Sequence, residues 1–348
     1  MSAYDLIVIG GGPAGSAAAI TAARARKRVL LLERGRFPRH KVCGEFISPE
    51  ATELLRFLLG DAAKPLLTMA PRVTRSRFFL DGRILTAPIA PPALSVPRFV
   101  LDEALWRIAQ QICDCRQETA ADSVVHGHRG FQVHSKNERW ESAALVNASG
   151  RWSNLTSTHL PATAPRWLGI KAHFREAMPP PSVDLYFFRG GYCGVQPIGD
   201  GRVNACAMVD AGVASSLEQV FAKNHDLWHR SRDWKILTEP VTTAPLVFRT
   251  PAPVSDSGVL HAGDAAGFID PFAGDGIAIA LRSGAKAALS SSGDYARWYT
   301  REVLPAFRAA ARFRKLVETP RWVRRAALSL LRNQRMAAWA VKTTRSRG

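Results

Sequence analysis

The 348 residues can bury a large core and fit two intertwined domains, and contents of 47% hydrophobic and 22% charged residues are ordinary for a globular protein. Five cysteines, an odd number without framework or metal-ligand spacing, argue against a disulfide-stapled fold and a metal centre and favour a reducing, cytoplasmic compartment. The first five residues lack a basic region, so we expect no signal peptide, and the formal net charge is +18.

Residues 5–33 form the pattern of a nucleotide-binding unit: an apolar strand, a glycine turn, an alanine-rich helix and a second strand that ends in an acid. Gly10 permits the tight turn, Gly12 lets the backbone approach a pyrophosphate, and Gly15 lets the helix pack closely on the strand. The start of the helix offers free N–H groups to the phosphates, and Glu33 is placed to accept a ribose hydroxyl. The residues predicted to bind a dinucleotide here are Gly10, Gly12, Pro13, Ala14, Gly15 and Glu33.

The middle of the chain is predicted to be rich in strands. A helix over 48–59, a hairpin with its turn at Asp81-Gly82, a helix over 99–112 and strands over 120–150 follow the first unit. Residues 165–250 are predicted as strands at 168–174, 183–188, 192–196, 202–209 and 241–248, with one helix over 217–230. We expect these later strands to form an antiparallel sheet that covers a substrate pocket.

A second ligand-binding pattern lies in residues 258–284, which read as a short buried strand, an Asp-bearing turn, a Pro/Gly loop and another alanine-rich helix. An aspartate just after a strand can hold the hydroxyl of a polyol, and a Gly-Asp-Gly turn that opens a helix presents backbone N–H groups. Two such patterns suit an extended ligand with a pyrophosphate at one end and a polar chain with a ring at the other. The residues predicted to bind it are Gly263, Asp264, Pro271, Gly274, Gly276 and Ile277.

The last 48 residues carry much of the excess charge, with 13 Lys and Arg against two acids, interleaved with large apolar residues. Basic amphipathic helices of this kind favour an anionic membrane surface, so peripheral attachment to the inner face of the membrane is one of two interpretations that stay open. The alternative is a helical cap whose apolar face belongs to the core. Nucleic acid is not an expected partner, because no nucleic-acid-binding motif accompanies the charge. Residues 6–23 imitate a membrane span, but the glycine turn favours strand and helix.

The two ligand-binding patterns together resemble the FAD-binding fold of the aromatic-hydroxylase superfamily. The resemblance implies FAD rather than NAD, with Asp264 at the ribityl or pyrophosphate region. Arg98, followed by Asp102 four residues later, resembles the helix start at which an arginine of that superfamily lies near the flavin. Residues 143–153 resemble the strand and turn that close its FAD domain.

A third block narrows the resemblance to one family. Phe37-Pro-Arg-His-Lys-Val-Cys-Gly44, followed by Ser48-Pro49, is similar to a run of the geranylgeranyl-reductase family. The resemblance extends from residue 4 to about residue 290. It implies an FAD-dependent oxidoreductase in which Cys43 faces the flavin ring.

Cys43 is the first candidate for chemistry, since a thiol near a flavin can donate a proton to a substrate carbon after hydride transfer. The neighbouring Arg39, His40 and Lys41 are expected to depress its pKa. The competing interpretation is a buried structural thiol.

Three other side chains are candidates with open roles. Glu45 is either an acid or a cap of the helix that follows it, and we favour the cap. Tyr192 lies on the strand that resembles the substrate-side strand of the family. Arg34 and Lys41 either contact FAD phosphates or an anionic substrate head, or are simply solvated.

Departures from related patterns bear on the reaction. The family has Trp and Phe where this chain has Gly194 and Gln196, which predicts a wider or more polar pocket. Hydroxylases that use NADPH carry Asp-Gly where this chain has Ser149-Gly150, which argues against direct reduction by NADPH. The Trp-x-Trp-x-Ile-Pro signature of flavin-dependent halogenases is missing. The electron donor stays open between NAD(P)H and a reduced protein carrier.

The sequence therefore predicts an α/β protein with a Rossmann-like, three-layer FAD-binding domain built on a parallel sheet, an inserted antiparallel β-sheet substrate domain and a helical C-terminal tail. The predicted divisions are 1–70, 96–155 and 250–295 for the FAD domain, 71–95 and 156–249 for the substrate domain, and 296–348 for the tail. The expected reaction is C=C reduction by reduced flavin in a hydrophobic, polyprenyl, polyketide or lipid-like substrate. The alternative is monooxygenation with O2; halogenation or a non-enzymatic binding role at the membrane is less favoured.

Overall fold

The computed structural model describes residues 3–127, 130–136, 138–151, 155, 167–244, 246, 248 and 250–324. The strands are β1 (Ala3–Ile9), β2 (Val29–Leu32), β3 (Phe46–Ile47), β4 (Arg72–Leu80), β5 (Arg83–Ser95), β6 (Asp114–Arg116), β7 (Ser123–Gly127), β8 (Gly130–Ser135), β9 (Glu138–Asn147), β10 (Trp167–Arg175), β11 (Ser182–Phe188), β12 (Gly191–Gly199), β13 (Arg202–Asp210), β14 (Lys235–Ile236), β15 (Val241–Thr242) and β16 (Leu260–His261). The helices are α1 (Pro13–Arg24), α2 (Thr52–Leu59), α3 (Ala63–Met69), α4 (Arg98–Ile112), α5 (Leu217–Phe221), α6 (His225–Ser231), α7 (Gly276–Ala287), α8 (Ser292–Glu302) and α9 (Leu304–Glu318).

The first sheet carries the nucleotide-binding unit. Its order is β6-β2-β1-β9-β8-β7, with β16 beside β9, and β6, β2, β1, β9 and β16 run parallel. Side chains of a strand alternate between faces, so Leu6 and Val8 pack against the α1, α4 and α7 side, while Ile7 and Ile9 pack against side chains of β8 and β9. The three-layer, Rossmann-like prediction is confirmed, with an antiparallel β8-β7 extension at one edge.

The second sheet covers the carboxyl ends of the first. Its order is β14-β10-β13-β12-β11-β4-β5-β3, and β15 pairs with β10. The sheet is not wholly antiparallel as predicted, because β11 and β4 pair in parallel, Leu185 opposite Phe78. The short β3 also joins this sheet by pairing with β5, although its residues fall in the predicted FAD segment. The predicted hairpin is present between β4 and β5, where Asp81 and Gly82 both have positive φ angles of 55° and 76°.

Two predicted elements differ in the structure. The single helix over 217–230 is two helices, α5 and α6, because Asn224 starts a new one: its side-chain oxygen accepts the N–H groups of Asp226 and Leu227. The strand over 241–248 is present only as β15, and Leu246 forms an isolated bridge with Trp167. Residues 245, 247 and 249 lie outside the described residues.

The described part of the C-terminal tail is helical and packs on the protein. The Tyr295 hydroxyl of α8 donates to the carbonyl of His261 at 2.8 Å, and Phe313 and Val317 of α9 pack against side chains of the second sheet. Arg324 forms a two-pronged ion pair with Asp81 of the β4–β5 turn. The remainder of the predicted amphipathic segment, residues 325–348, lies outside the described residues.

Within the part of the chain that the structure describes, no helix is both long enough and apolar enough to cross a bilayer. The apolar stretch 6–23 is divided between β1 and α1, with the glycine turn between them.

Close backbone contact between α1 and α7 generates the first prediction. A Cβ atom at Gly284 would lie 1.9 Å from the carbonyl oxygen of Ala14, so Gly284→Ala must separate the two helices. We expect the melting temperature to fall by about 2–4 °C. The control is Gly293→Ala, whose Cβ would lie 3.6 Å from the mobile end of Arg297 in an exposed helix turn. Equal melting temperatures of both variants and the wild type, measured by calorimetry, would contradict this account of the packing.

Candidate functional site

A cavity of about 730 Å³ lies between the two sheets and collects residues from both. Every residue that the sequence singled out for binding or chemistry lines it, except Gly15, which is buried in the α1–β1 contact. The lining residues from that set are Gly10, Gly12, Pro13, Ala14, Glu33, Arg34, Lys41, Cys43, Glu45, Arg98, Tyr192, Gly263, Asp264, Pro271, Gly274, Gly276 and Ile277. The structure thus brings the candidates to one place; their individual roles stay predictions.

One end of the cavity is built to receive an anion. The N-termini of α1 and α7 both open onto it, and among the described residues no side chain caps either first turn. A Cβ at Gly12 would meet only the Arg98 guanidinium, at 3.9 Å, and one at Gly276 would meet no described atom within 4 Å. Two helix starts with free N–H groups and open space above their glycines fit a pyrophosphate.

Glu33 is held at the end of β2 by neighbours of the glycine turn. Its carboxylate accepts the N–H groups of Gly11 at 2.9 Å and Gly35 at 2.8 Å, and Arg39 pairs with it at 2.9 Å. A carboxylate has about four acceptor positions, so capacity is left for a ribose hydroxyl. The predicted ribose contact therefore fits the geometry, and Glu33 in addition fixes the turn that approaches the phosphates.

Arg98 and Asp264 lie at the cavity wall with charged partners. Arg98 makes a two-pronged ion pair with buried Asp102, both contacts at 2.6 Å. Asp264 pairs with Arg151 at 3.4 Å, and the Arg151 guanidinium stacks on Phe268. The ion pair of Asp264 was not foreseen, but the carboxylate is still about one third exposed toward the cavity.

The carboxyl group of Glu45 is already engaged by three donors, so it is not available as an acid. It also caps a different helix from the one expected. Its side chain is fully buried and accepts the Lys171 ammonium at 2.5 Å, the His173 Nε2 at 2.8 Å and the backbone N–H of Arg98, the first residue of α4, at 3.0 Å. Burial alone would raise the pKa of Glu45, but the hydrogen bond from His173 and the charge of Lys171 outweigh it and lower that pKa. The prediction that Glu45 caps the helix after it is wrong, because its carboxylate faces α4 and β10.

The expectation of an acidified Cys43 is also wrong. Burial raises the pKa of this thiol, and the opposing charges, chiefly that of Arg98, do not compensate. Its sulfur accepts the N–H of Glu45 at 3.3 Å, and the Asn204 amide donates to its carbonyl oxygen at 2.9 Å. Cys43 is therefore a protonated thiol fixed on the cavity wall.

Tyr192 shares its hydroxyl with a network that reaches the tail. The hydroxyl donates to Asp270 at 2.8 Å, and Arg314 of α9 pairs with the same carboxylate. Burial, followed by the charge of Asp270, raises the pKa of Tyr192 well above its usual value. Tyr192 is thus a neutral hydroxyl whose proton is already engaged.

The comparisons with known proteins agree with this cavity. A family model described as FAD dependent oxidoreductase matches residues 5–38. The chain is an FAD-dependent oxidoreductase. It is 28% identical to a menaquinone reductase of Mycolicibacterium smegmatis over 97% of this chain and 90% of that protein. A digeranylgeranylglycerophospholipid reductase of Thermoplasma volcanium is 27% identical over 83% of this chain and 78% of that protein.

A solved flavin-dependent brominase has the same fold. The two chains superpose with a TM-score of 0.77 over 99% of this chain and 94% of the brominase, at 19% sequence identity. This likeness confirms the arrangement of an FAD-binding domain, a second sheet and a helical tail. It carries no information on the reaction.

Several residues of this FAD-dependent oxidoreductase were missed by sequence reasoning. Lys171 and His173 occupy alternate positions of β10 and are 1% and 6% exposed, so both project from one buried face of the second sheet. Their spacing could have revealed them, because polar residues at alternating positions of a predicted inner strand indicate a polar buried face. No sequence pattern indicates the pairing of Asp270 with Arg314, because these two residues meet only through the tertiary fold.

The prediction that Gly194 and Gln196 widen or polarise the pocket is wrong, since neither lines the cavity. The Gln196 amide donates to the Ser95 hydroxyl at 2.5 Å, and a Cβ at Gly194 would touch Leu185 at 3.4 Å. Both positions lie beyond the cavity edge, on the same strand as Tyr192.

Gly12→Val tests the pyrophosphate position. Because a Cβ at Gly12 meets no backbone of the protein, the variant is expected to fold, while its side chain fills the space needed by the ligand. We expect loss of bound FAD, measured as the ratio of flavin to protein absorbance after gel filtration, with Gly293→Ala as control. A folded variant that keeps the full flavin absorbance would show that the phosphates bind elsewhere.

Lys41 provides a pH test of the same site. Burial, then the charges of Arg39 and Arg98, lower the pKa of Lys41 to about 8. The ammonium is present below this pH and lost above it, so affinity of the apoprotein for FAD should fall by up to about tenfold per unit above pH 8. Lys41→Met should remove this dependence, whereas exposed Lys64→Met should keep it. Fluorescence titration measures the affinity, and parallel pH profiles of wild type and Lys41→Met would rule out a phosphate contact.

Proposed function

We propose that this FAD-dependent oxidoreductase reduces a C=C bond in a hydrophobic substrate of polyprenyl or other lipid-like character. The observation that carries the proposal is the composition of the cavity. Its anion-binding end, at α1, α7 and Glu33, continues into a wall of Tyr192, Met208, Leu246 and Phe268 supplied by the second sheet and the loop before α7. One cavity thus offers a place for the cofactor and, next to it, an apolar surface for a substrate.

The curated relatives support the same reaction class. The names of both describe reductases, one of a quinone and one of a geranylgeranyl phospholipid. The apolar wall is the physical counterpart of such a substrate, because burial of hydrocarbon against hydrocarbon supplies binding free energy without directional contacts.

The chain's own residues would position the reactants. Bound FAD, once reduced, supplies a hydride equivalent. The helix starts of α1 and α7 and the cation Arg98 would hold the anionic part of the cofactor, and Glu45 would keep the Cys43 segment in place through Lys171. Proton delivery belongs near Cys43, where the cavity wall carries its titratable groups. We propose NAD(P)H or a reduced protein carrier as the source of electrons.

Anaerobic stopped-flow spectroscopy tests the reaction. We expect dithionite-reduced enzyme to be reoxidised without oxygen by a polyprenyl lipid from a panel of geranylgeraniol and a digeranylgeranyl glycerophospholipid in detergent micelles. Mass spectrometry should show that the product has gained two hydrogens. The control is the same lipid with a saturated chain, which should leave the flavin reduced.

The opposite result is equally clear. If none of the lipids oxidises the flavin under anaerobic conditions, but lipid and oxygen together yield a hydroxylated product through a transient oxygenated flavin, the enzyme is a monooxygenase.

A further inference from the structure

Two side chains of the apolar cavity wall, Tyr192 and Phe268, are each held by a group that lies behind the wall. The Tyr192 hydroxyl donates to the buried carboxylate of Asp270 at 2.8 Å. The Phe268 ring stacks on the ring of Phe248, with the ring centroids 5.3 Å apart and the planes 17° apart. Neither Asp270 nor Phe248 is among the described residues that line the cavity. A residue that contacts Asp270 and Phe248 can therefore affect the wall without touching a bound substrate.

Arg314 of α9 contacts both of these supports at once. Its guanidinium pairs with the Asp270 carboxylate and lies over the ring of Phe248. The Arg314 side chain is 20% exposed, and it too is absent from the described cavity lining. A planar guanidinium can donate to a carboxylate from its edge while its face rests on an aromatic ring. One side chain of the tail is thus connected to two points of the cavity wall, one on β12 and one in the loop before α7.

The charge of Arg314 also keeps Asp270 in the form that binds Tyr192 most strongly. Burial raises the pKa of Asp270, and the charge of Arg314 is the largest effect that opposes this rise. Loss of Arg314 would leave a buried carboxylate without its cation, so Asp270 would take up a proton or move toward water. A neutral carboxyl group is a weaker hydrogen-bond acceptor than a carboxylate, so the hold on the Tyr192 hydroxyl would loosen.

Resting on the reductase function proposed above, we infer that Arg314 is a positioning residue for the hydrocarbon part of the substrate. It fixes Tyr192 through Asp270 and Phe268 through Phe248. A wall that is already ordered loses little side-chain entropy when a hydrocarbon chain binds to it. Arg314 should therefore affect the KM for the lipid, while FAD binding and kcat, which depend on the other end of the cavity, should change little.

Arg314→Gln is the central variant, and Arg324→Gln is its matched control. Arg324 belongs to the same tail, is 19% exposed and makes a two-pronged ion pair with Asp81, which is not among the described lining residues. In the anaerobic reoxidation assay with geranylgeraniol, we expect Arg314→Gln to raise KM roughly tenfold at little change in kcat. The ratio of flavin to protein absorbance should stay at the wild-type value, and the control should match the wild type in all three quantities.

Two further variants test the two connections of Arg314 separately. Tyr192→Phe removes only the hydroxyl that Asp270 holds, so KM should rise in this variant as well, even where Arg314→Gln folds poorly. Where the double variant folds, its KM should exceed that of Arg314→Gln only slightly, because both changes act through Asp270. Arg314→Lys keeps a cation for Asp270 but loses the flat face over Phe248, so its KM should lie between those of the wild type and Arg314→Gln.

A binding measurement checks the same role without turnover. The saturated analogue of geranylgeraniol is titrated into the oxidised holoenzyme, and the change in flavin fluorescence gives its affinity. We expect the affinity to be roughly tenfold weaker in Arg314→Gln and unchanged in Arg324→Gln.

The outcomes separate the two proposals. If the wild type binds the saturated analogue but does not reduce geranylgeraniol, the reductase function fails, while the binding titration still decides the role of Arg314. If the wild type turns over and Arg314→Gln keeps the wild-type KM and affinity, the role of Arg314 alone is overturned. An equal rise of KM in Arg324→Gln would overturn it too, by assigning the effect to attachment of the tail as a whole. A wild type that binds neither lipid would overturn both proposals.

Discussion

The buried carboxylate of Glu45 is the interaction on which the geometry of the cavity depends. It joins the segment that carries Cys43 to the start of α4 through the Arg98 N–H, and to β10 of the second sheet through Lys171 and His173. Glu45 itself has a positive φ of 62°, a conformation that an ordinary residue adopts only when its surroundings require it. Loss of one partner would strand an unpaired charge in the interior, which typically costs about 3–5 kcal/mol. The position of the Cys43 segment is thus fixed by the ion pair of Glu45 with β10 of the second sheet and by its hydrogen bond to the start of α4.

Small residues impose a second constraint, on the helices. Gly15 packs against the carbonyl of Gly10, and Gly284 packs against that of Ala14, at distances that would place a Cβ only 1.7 Å and 1.9 Å from the oxygen. This close approach lets α1 and α7 aim their N-termini at one place. The partial positive charges of two helix starts then add to those of Arg98 and Lys41 at one end of the cavity. Burial of Lys41 among these cations explains why its pKa is lowered to about 8.

The local parts of the fold and of the site could be predicted from the sequence, and the long-range parts could not. Strand periodicity and the glycine spacing placed β1, α1, β2 and Glu33, because these depend on neighbours in the chain. Tertiary packing determines that β4 pairs in parallel with β11 and that β3 joins the second sheet. Local sequence patterns carry no information on such long-range pairing. Similarly, Cys43 could be placed near the cofactor by resemblance, but its raised pKa follows from desolvation of the thiol in the folded protein, which a row of basic neighbours in the sequence does not reveal. The partner of Glu45 was missed for the same reason: Lys171 is 126 residues away.

The tail shows how the same pattern can have two physical causes. Its apolar residues and arginines are compatible with a membrane-binding helix and with a cap on the protein's core, and in the structure Phe313 and Val317 pack against the protein, while Arg314 and Arg324 pair with Asp270 and Asp81.

A basic amphipathic helix can bind an anionic lipid surface, and it can equally well pack on a protein surface that is apolar and acidic. Both surfaces offer hydrocarbon beside negative charge. In the described part of the tail, the protein itself provides that surface. Because Arg314 also reaches, through Asp270, the hydroxyl of Tyr192 on the cavity wall, α9 is part of the support of the apolar end of the cavity. The shape of the proposed substrate site is therefore determined in part by a segment for which the sequence pattern left both a membrane surface and the protein's own core open.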